Sequence, residues 1–448
     1  MKPNFARLAL SAWASLLGLL PSAYGQTVST VAGTGMAGNV NGPAAAAQFN
    51  QPYGVASDSA GNVYVAEPNH HLIRKISPQG MVSTLAGSGF PGHYNSPIGT
   101  DAIFSSPQEV IVAPNGDLLI SDSSNGSIRR IDKNTAAVTT VAGTGSSGFL
   151  DGPVGQARFR TPVGLSVDQS GNLYVADADA YRLRKVAGGV VSTVAGSGVR
   201  GHLDGPAGNA RFWGPTGLAT DTSGNVYIAD YVGNRIRKFD PLTNTVSTLA
   251  GNGTAGYVDG PLSMARLSRP LRLAYSTLEN TLYVLEQGNN LVRKINLSTS
   301  TVSTVAGSGQ PGFADGPSLT AQFDQPSGLA LDGTGALLIG DTNNHRIRRV
   351  SGLVLATRAP TAQLALAPEL WPNPSPGQST LRYYLPTGGR VTYTLLDLAG
   401  RVVQHVPLGW QAAGWHTCPV STPGAAAGAY LLRLRTPAGT GTCKLLVQ

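Results

Sequence analysis

The sequence is poor in charge and in long apolar runs, and each shortage excludes a class of protein. Charged residues make up 12% of the 448 residues, whereas glycine and proline together number 87. This profile is typical of many short strands joined by turns, and it argues against long helices and against disordered chain. After residue 20 no stretch is long and apolar enough to span a membrane. Cysteine is nearly absent, with Cys418 and Cys443 alone near the C-terminus.

A net positive field is missing from most of the chain. The formal charge of +8 divides into +2 from residues 1–25, +1 from residues 26–357, with 23 basic and 22 acidic side chains, and +5 from residues 358–448. Phosphate binding requires a positive field, so we expect no nucleic-acid partner.

Residues 1–25 have the three regions of a secretory signal peptide. Two basic residues precede an apolar run of thirteen residues from Leu8 to Leu20. The small residues Ala23 and Gly25 then precede a predicted cleavage site before Gln26. Thirteen residues are too few to cross an apolar bilayer core of about 30 Å as a helix. We therefore expect export and no transmembrane span.

From Val28 the chain repeats one pattern six times. Copies of Val-Ser-Thr-Val-Ala-Gly, some of them varied, recur at intervals of 53 to 56 residues and start at Val28, Val82, Val138, Val191, Val246 and Val302. Between copies come a connection of about twenty residues and three further strand-like runs. Over residues 26–357 this predicts an all-β, six-bladed β-propeller with four antiparallel strands per blade. The copy at Val28 has no strands before it, so we expect Val28–Gly33 to be the outer strand of the last blade.

Three of these runs carry a specific resemblance. Each begins with asparagine or glycine and ends in Ile-Arg-Lys or a close variant, and the three are Asn69–Lys75, Gly233–Lys238 and Asn344–Arg349. This pattern resembles the NHL repeat. The match spans about residues 28–350, and the resemblance implies a six-bladed propeller. Some propeller relatives are lyases or lactonases that use metal or histidine groups near the channel.

Every unit places an acid and an arginine seven residues apart, close to one another across a hairpin. We predict six structural ion pairs that fix the hairpin rather than six catalytic acids, because repeated charge pairs stabilise or orient structure more often than they catalyse. The pairs are Glu67/Arg74, Asp122/Arg129, Asp177/Arg184, Asp230/Arg237, Glu286/Arg293 and Asp341/Arg348.

Two units break the pattern of the strand that lines the channel. Its first glycine becomes Glu109 in the second unit and Arg272 in the fifth, and these blades stand opposite one another. We expect the two side chains to face each other across one mouth of the channel, either as a ligand clamp or as a solvated or ion-paired rim.

The long connections offer further candidates, since binding residues concentrate in loops on a rigid scaffold. A recurring Asp-Gly-Pro supplies one carboxylate per connection, too few for Ca²⁺, and is predicted to form Asx turns. A recurring phenylalanine, replaced by Leu267 in the fifth unit, is predicted to fill the core between blades. Candidates for ligand contact on the same face are His71, Tyr181, Trp213, Asn234, Asn290 and His345.

Catalysis has little support, because no spaced set of His, Asp and Glu and no nucleophile with its base recurs. We expect no catalytic residue and no cofactor, and leave open Ca²⁺ or another divalent ion in the channel. The expected function is a non-catalytic module, a monomer, that binds an extracellular protein or glycan or serves as a scaffold. The alternative is a propeller enzyme of lyase or lactonase type with a divalent metal in the channel.

The repeat ends after Arg349, and residues 358–368 are predicted to be a linker. Residues 369–448 resemble the type A C-terminal sorting domain of type IX secretion substrates in Bacteroidota, through Pro372–Pro374, Asp397–Val403, Gly428–Leu432 and Lys444–Val447. The resemblance implies a small β-sandwich recognised by the secretion machinery, and hence a secreted or outer-surface protein. Cys418 and Cys443 either form a disulfide or stay as two thiols.

Overall fold

The computed structural model describes residues 25–353 and, towards the C-terminus, 368–371, 375, 377–385, 388–397, 401–412, 414–422, 426–436 and 439–447. The predicted signal peptide apart from Gly25, and the predicted linker apart from Pro368, lie outside the described residues. The chain divides into two compact units, which meet in sequence at residues 353 and 354. Within the ranges given above, no helix is long and apolar enough to cross a membrane.

The first unit is the all-β, six-bladed propeller that the repeats predict. Six antiparallel sheets, which we number as blades 1 to 6 in chain order, surround a central channel. The innermost strands line this channel and are Val55–Ser57, Pro107–Val112, Pro162–Val167, Pro215–Thr220, Pro270–Ser276 and Gly328–Leu331. The second strands are Val63–Glu67, Leu118–Asp122, Leu173–Asp177, Val226–Asp230, Thr281–Glu286 and Leu337–Asp341. The third strands are Leu72–Ile76, Ser127–Ile131, Arg182–Ala187, Arg235–Asp240, Leu291–Asn296 and Arg346–Ser351.

The fourth strands carry the repeated Val-Ser-Thr motif. In blades 1 to 5 they are Met81–Ala86, Val138–Ala142, Val190–Ala195, Thr245–Ala250 and Thr301–Ala306. In blade 6 the place is taken by Thr27–Ala32, which pairs antiparallel with Arg346–Ser351. The predicted closure of the ring by the N-terminal strand is therefore confirmed, and it removes two exposed sheet edges.

Five blades have one strand more than predicted. A two-residue strand joins the outer edge of the fourth strand, and these edge strands are Gly42–Pro43, Gly152–Pro153, Gly205–Pro206, Gly260–Pro261 and Gly316–Pro317. In blade 2 a single bridge between Ser96 and Val138 stands in the same place. The extra strand arises because the long connection runs along the outer edge before it turns inward to the channel.

The two ends of the propeller differ in the length of their loops. We call the end with the long connections the loop face and the opposite end the turn face. On the turn face, Asp58 accepts hydrogen bonds from the backbone N–H groups of Ala60 and Asn62, and Gly61 has a φ of 83°. The predicted aspartate–glycine turn is confirmed there and recurs in blades 3 and 4.

Apolar side chains fill the spaces between neighbouring blades. The recurring phenylalanine of the connections and its replacement Leu267 are fully buried, as predicted, and these residues are Phe49, Phe104, Phe159, Phe212, Leu267 and Phe323. Burial of one such side chain stabilises the fold by about 1.5–3 kcal/mol. Three short 3₁₀ helices complete the elements: Gly99–Asp101, Ser123–Asn125 and Ala178–Ala180.

The second unit is a small β-sandwich, as the sequence predicts. One sheet has the strand order Glu369–Trp371, Gln378–Leu385 and Gly414–Ser421. The other has the order Val402–Gln411, Gly389–Leu396, Gly428–Thr436 and Gly439–Val447. Buried residues of both sheets, among them Leu381, Tyr383, Tyr393, Leu432 and Leu445, form one core.

Parts of the predicted sorting motifs can be placed in this unit. Pro372–Pro374 and residues 398–400 lie outside the described residues. Asp397 and Arg401 flank that second gap and form an ion pair of 2.8 Å. Cys418 and Cys443 are free thiols on strands of different sheets, and burial raises the pKa of each to about 11.

Candidate functional site: the channel and the loop face

Glycine sets the closest approach of the innermost strands. A Cβ added at Gly164 would collide with the carbonyl oxygen of Thr216 on the next blade, and one at Gly328 with that of Tyr53. The equivalent residues of blades 1 and 4, Gly54 and Gly217, face the neighbouring backbone in the same way. The ring is therefore packed backbone against backbone at this level.

Glu109 and Arg272 hold the same position in blades 2 and 5, and their side chains meet inside the channel. Arg272 Nε lies 2.7 Å from Glu109 Oε2. The prediction that the two face each other holds, but their placement at a channel mouth is wrong, because Glu109 is only 5% exposed and Arg272 only 2%.

Two opposing effects act on the pKa of Glu109, namely desolvation of its carboxylate and attraction to the charge of Arg272. Burial raises the pKa of Glu109 to about 7, and the charge of Arg272 opposes that rise. The Arg272 Nε–H is not aimed at the carboxylate, so the contact is an ion pair without a well-formed hydrogen bond. A buried pair of this kind contributes little net stability, whereas removing one partner costs about 3–5 kcal/mol.

A polar network covers the pair on its loop-face side. The Tyr231 hydroxyl donates to Gln287 Oε1 at 2.7 Å, and Gln287 Nε2 donates to Ser327 Oγ at 3.0 Å. The ring of Tyr53 lies beneath the Arg272 guanidinium, with Cζ 5.2 Å from the ring centroid. Burial raises the pKa of Tyr53. Four blades thus contribute side chains to one polar layer beside the pair.

On the turn-face side of the pair the channel opens into a cavity of about 390 Å³. The ion pair forms its inner end, and the last residues of the innermost strands form its wall, including Ser57, Ser166 and Tyr275. Because hydroxyl groups and aliphatic side chains line it, the cavity suits a small ligand with little charge.

The channel does not fit a divalent cation. Among the described residues that line the cavity, Glu109 is the single carboxylate, and Arg272 already neutralises it. A calcium site needs six to eight oxygen ligands, and a neighbouring guanidinium repels a second cation. Among residues 25–353 and the described parts of the second unit, no group of three or more His, Cys, Asp or Glu side chains is placed to hold a metal ion.

The six predicted acid–arginine pairs all lie within ion-pair distance, from 2.6 to 3.4 Å, with both side chains fully buried. Burial raises the pKa of every one of the six acids, to about 6 in Asp230 and to about 7 in Glu286. These twelve side chains are therefore interior framework and are not accessible to a ligand. In chain order the pairs are Glu67/Arg74, Asp122/Arg129, Asp177/Arg184, Asp230/Arg237, Glu286/Arg293 and Asp341/Arg348.

Each of these arginines also fixes the long connection above it. Arg348 Nη1 donates to Asp341 Oδ2 at 2.6 Å and to the Gln322 carbonyl at 3.0 Å, while Nη2 donates to the Ala314 carbonyl at 2.8 Å and to Asp315 Oδ1 at 2.6 Å. Equivalent bonds recur around the ring. The connections are long, yet each is held rigidly against its blade.

The hydrogen bonds of Arg74 in blade 1 show that these pairs do more than fix a hairpin, the role that the sequence predicts for them. Its Nη1 donates to Glu67 Oε2 at 2.7 Å and to the Gln48 carbonyl at 3.1 Å, while its Nη2 donates to Asn41 Oδ1 at 2.7 Å and to the Val40 carbonyl at 3.2 Å. Three of its four acceptors thus belong to the connection, and one of them is a neutral amide where blades 3 to 6 have an aspartate. The Arg74 Nε–H has no hydrogen-bond acceptor among the described residues. Of the carboxylates that the structure describes, Glu67 alone forms an ion pair with this buried guanidinium.

The aspartate of Asp-Gly-Pro belongs to the same network, and the Asx-turn role predicted for it is wrong. Asp315 accepts hydrogen bonds from Arg348 and from the backbone N–H of Thr30 on the fourth strand. The carboxylate joins the connection to the sheet rather than closing a local turn. The aspartates that do the same in their own blades are Asp151, Asp204 and Asp259.

Four predicted ligand-contact residues link neighbouring blades. His71 Nδ1 accepts a hydrogen bond from the N–H of Ser106, and His345 Nδ1 accepts one from the N–H of Gln51. Asn234 and Asn290 accept equivalent bonds through their amide oxygens. Each of the four has a positive φ, between 50° and 57°. Their acceptor atoms are already occupied, which leaves less of each side chain for a ligand.

Tyr181 and Trp213 remain on the loop face without such a role. Tyr181 also has a positive φ, 56°, and caps the 3₁₀ helix that precedes it. Trp213 is 43% exposed, and its backbone N–H donates to Asp230 Oδ1 at 2.6 Å. A large indole held by its backbone and turned outward is a good surface for an apolar contact.

Sequence reasoning missed two groups of side chains. One is the network of Tyr231, Gln287 and Ser327. Tyr231 and Gln287 each directly follow the acid of the ion pair in their units, but the residue type at this position differs from unit to unit and gives no repeated signal. The other is a set of exposed arginines in blades 3 to 5. The signal for these is present in the sequence, since Arg158, Arg211 and Arg266 occupy one column of the aligned repeats.

Comparison with known proteins agrees with this geometry. The family model of the NHL repeat matches residues 212–239 and 323–350, which span the first three strands of blades 4 and 6 except the last residue of each third strand. Two stretches of the propeller thus match the NHL repeat. The chain is 30% identical over 269 residues to Protein SUPPRESSOR OF QUENCHING 1, chloroplastic, from Arabidopsis thaliana, covering 56% of this chain and 25% of that protein. It is 27% identical over 321 residues to NHL repeat-containing protein 2 from Homo sapiens, covering 63% of this chain and 44% of that protein. The chain thus spans less than half of the length of these curated relatives.

Solved structures share the fold. A protein of unknown function from Bacteroides thetaiotaomicron aligns with a TM-score of 0.58 at 20% identity, over 72% of this chain and 75% of its own. An auxiliary nutrient binding protein from the same organism aligns with a TM-score of 0.56 at 18% identity, over 72% of this chain and 76% of its own. At this level of identity the likeness concerns the fold.

Proposed function

We propose that the protein is an exported, non-catalytic binding or scaffold module whose NHL-type propeller holds an extracellular protein or glycan on its loop face. The observation that carries this proposal is the rigidity of the loop face combined with what it exposes. Buried arginines fix the long connections, while Phe90, Trp213 and Tyr257 are 73%, 43% and 53% exposed. A preorganised surface with outward aromatic side chains loses little conformational entropy on binding.

The channel supports the same proposal. At the inner end of the cavity the charges of Glu109 and Arg272 neutralise one another, and no histidine or second carboxylate of the described residues lines the cavity as a free general acid or base. The fold that this chain shares with the auxiliary nutrient binding protein is compatible with a binding role outside the cell.

The binding role is tested by placing the purified full chain on glycan and peptide arrays and by measuring bound metal. We expect saturable binding to a restricted set of glycans or peptides and no stoichiometric metal. A stoichiometric metal in the propeller together with no binding on either array would contradict the proposal and favour a metal-dependent propeller enzyme.

We further propose that the signal peptide and the C-terminal β-sandwich take the chain through the inner membrane and then through the type IX secretion system to the cell surface or beyond. The support is the motif set of residues 372–374, 397–403, 428–432 and 444–447, together with the small two-sheet fold of the second unit. Expression of the full chain and of a form lacking residues 369–448 in a type IX-competent host tests this. The shortened form should accumulate in the periplasm, and its appearance in the medium at the level of the full chain would refute the proposal.

A further inference from the structure

Positive charge on the loop face is concentrated in blades 3 to 5, although the propeller as a whole is nearly neutral. Over five aligned positions, blades 3 to 5 carry eight arginines, whereas the same positions of blades 6, 1 and 2 carry only Arg346 and the acid Asp324. The eight are Arg158, Arg160, Arg182, Arg200, Arg211, Arg235, Arg266 and Arg269. Within residues 25–353, none of these eight has a carboxylate oxygen within 4 Å in the observed ion pairs.

Three of these arginines occupy one structural position in consecutive blades. Arg158, Arg211 and Arg266 each form a β-bridge with an earlier residue of their own connection. The stem of each side chain packs over a glycine of that connection, Gly148 for Arg158 in blade 3, and Gly201 and Gly256 in the next two blades. All three residues are exposed. Their backbone is fixed by the buried network, because Arg184, Arg237 and Arg293 donate to their carbonyl oxygens. The result is a row of guanidinium groups on a rigid base.

Each of the same three connections also exposes one aromatic ring. Phe149, Trp213 and Tyr257 are 43%, 43% and 53% exposed. The Arg182 guanidinium stacks over Phe149 at 3.9 Å from the ring centroid. An aromatic ring packs well against the apolar face of a sugar, and a guanidinium binds carboxylate or sulfate through two parallel hydrogen bonds. Each of the three connections thus exposes an arginine and an aromatic ring, a combination that suits a chain of sugars that carry negative charge.

We infer that the loop face of blades 3 to 5 binds an acidic glycan, a polysaccharide that carries uronate or sulfate groups. The inference rests on the proposed binding function and names its ligand class and its surface. A nucleic acid fits less well, because the propeller as a whole is nearly neutral and the other half of the face balances one arginine with one acid at the same positions. That half offers a polyanion no net attraction, so the polymer is confined to the basic half.

Glutamine at the equivalent position of two other blades suggests a conservative substitution for testing these arginines. Gln48 and Gln322 occupy the position of the three arginines in blades 1 and 6, where they pack over Gly38 and Gly312. The triple variant R158Q/R211Q/R266Q therefore introduces a side chain that this position already accepts. Its thermal unfolding should match that of the wild type. The matched control K75Q/K133Q/K185Q removes the same number of positive charges from the turn-face half of the third strands and the turn that follows.

Binding of the full chain to polygalacturonate and heparin is measured by calorimetry, with neutral dextran, tRNA and polyglutamate as comparison polymers. We expect salt-sensitive binding to at least one acidic glycan, weakened roughly ten- to a hundredfold in the arginine variant, since each exposed charge contact is worth about two- to fivefold in affinity. The lysine control should bind as the wild type does. Binding that the arginine variant retains in full would overturn the inference, as would tRNA or polyglutamate binding at equal strength, or no binding to either acidic glycan.

The outcomes separate this inference from the proposed function. If acidic glycans fail but the chain binds neutral glycans or peptides on the arrays, the binding function stands and the acidic-glycan assignment falls. If the chain binds nothing in either experiment, both are wrong.

Discussion

Removal of Arg272 from the channel should destabilise the propeller in a way that depends on pH. In the variant Arg272→Met the carboxylate of Glu109 loses its cation, and since that cation lowers the pKa of Glu109, the pKa should rise above its value of about 7. An acid whose folded-state pKa is raised contributes stability that is present below its unfolded pKa and is lost as pH rises through the folded pKa. The variant continues to lose stability above pH 7, where the wild type has largely ceased to do so.

The size of this loss of stability follows from the linkage between proton binding and folding. At pH 5.5 Glu109 is mostly protonated in both proteins, so the variant lacks chiefly the packing of Arg272 and its hydrogen bond of 3.1 Å to the Gln108 carbonyl, a cost of about 1–2 kcal/mol. Between pH 7 and the new pKa the difference in the free energy of unfolding should grow by about 1.4 kcal/mol per pH unit. It should approach the cost of about 3–5 kcal/mol that is typical of a buried charge without its partner.

Urea unfolding of the propeller, followed by circular dichroism at pH 5.5, 7 and 8.5, measures this difference. The double variant Glu109→Leu/Arg272→Met is the control, because replacing both charges with apolar groups should recover most of the loss. A cost of Arg272→Met that is the same at all three pH values would refute the assignment of a buried, coupled pair. A double variant as unstable as the single one at pH 8.5 would refute it as well.

Three further predictions concern the ring, its closure and the thiols. Gly164→Ala should destabilise the propeller by several kcal/mol because a Cβ collides with the next blade, whereas Gly208→Ala, with open space around it, should change the melting temperature little. Deletion of residues 26–33 should lower the stability of all six blades together, seen as loss of amide protection throughout the propeller, and protection lost in blade 6 alone would contradict closure of the ring by this strand. Cys418 and Cys443 should react slowly with iodoacetamide at pH 8, since burial raises the pKa of each to about 11, and mass spectrometry with and without reductant should find no disulfide.

The periodicity of the sequence was sufficient to predict the architecture, because a propeller repeats the same local chemistry in every blade. The motif at Val28 had no strands before it, and this imbalance alone indicated how the ring closes. The extra edge strands were not predictable in the same way. Gly42 and Pro43 look like turn residues, and their pairing with Met81 and Val82 depends on the path of the connection.

Sequence spacing indicated which side chains pair with one another but not what surrounds each pair. Glu109 and Arg272 were identified because they break a glycine column, but their depth depends on how closely the strands of the ring approach, which sequence spacing does not report. The spacing of seven likewise paired Arg74 with its acid but did not report its bonds to the connection. His71 and His345 varied between units and resembled ligand contacts for that reason. Their hydrogen bonds to the next blade involve residues far away in sequence, so only the folded ring reveals them.

Two kinds of departure from the repeat therefore carry different information. Where a departure points inward, as Glu109 and Arg272 do, neighbouring blades compensate for it, and the result is a balanced pair that stability measurements will detect. Where a departure points outward and recurs in consecutive blades, as Arg158, Arg211 and Arg266 do, nothing in the fold requires it, because glutamine serves the same position elsewhere in the ring. We therefore infer a binding surface from these three arginines of adjacent blades, and the glutamine variant tests that surface without disturbing the buried network beneath it.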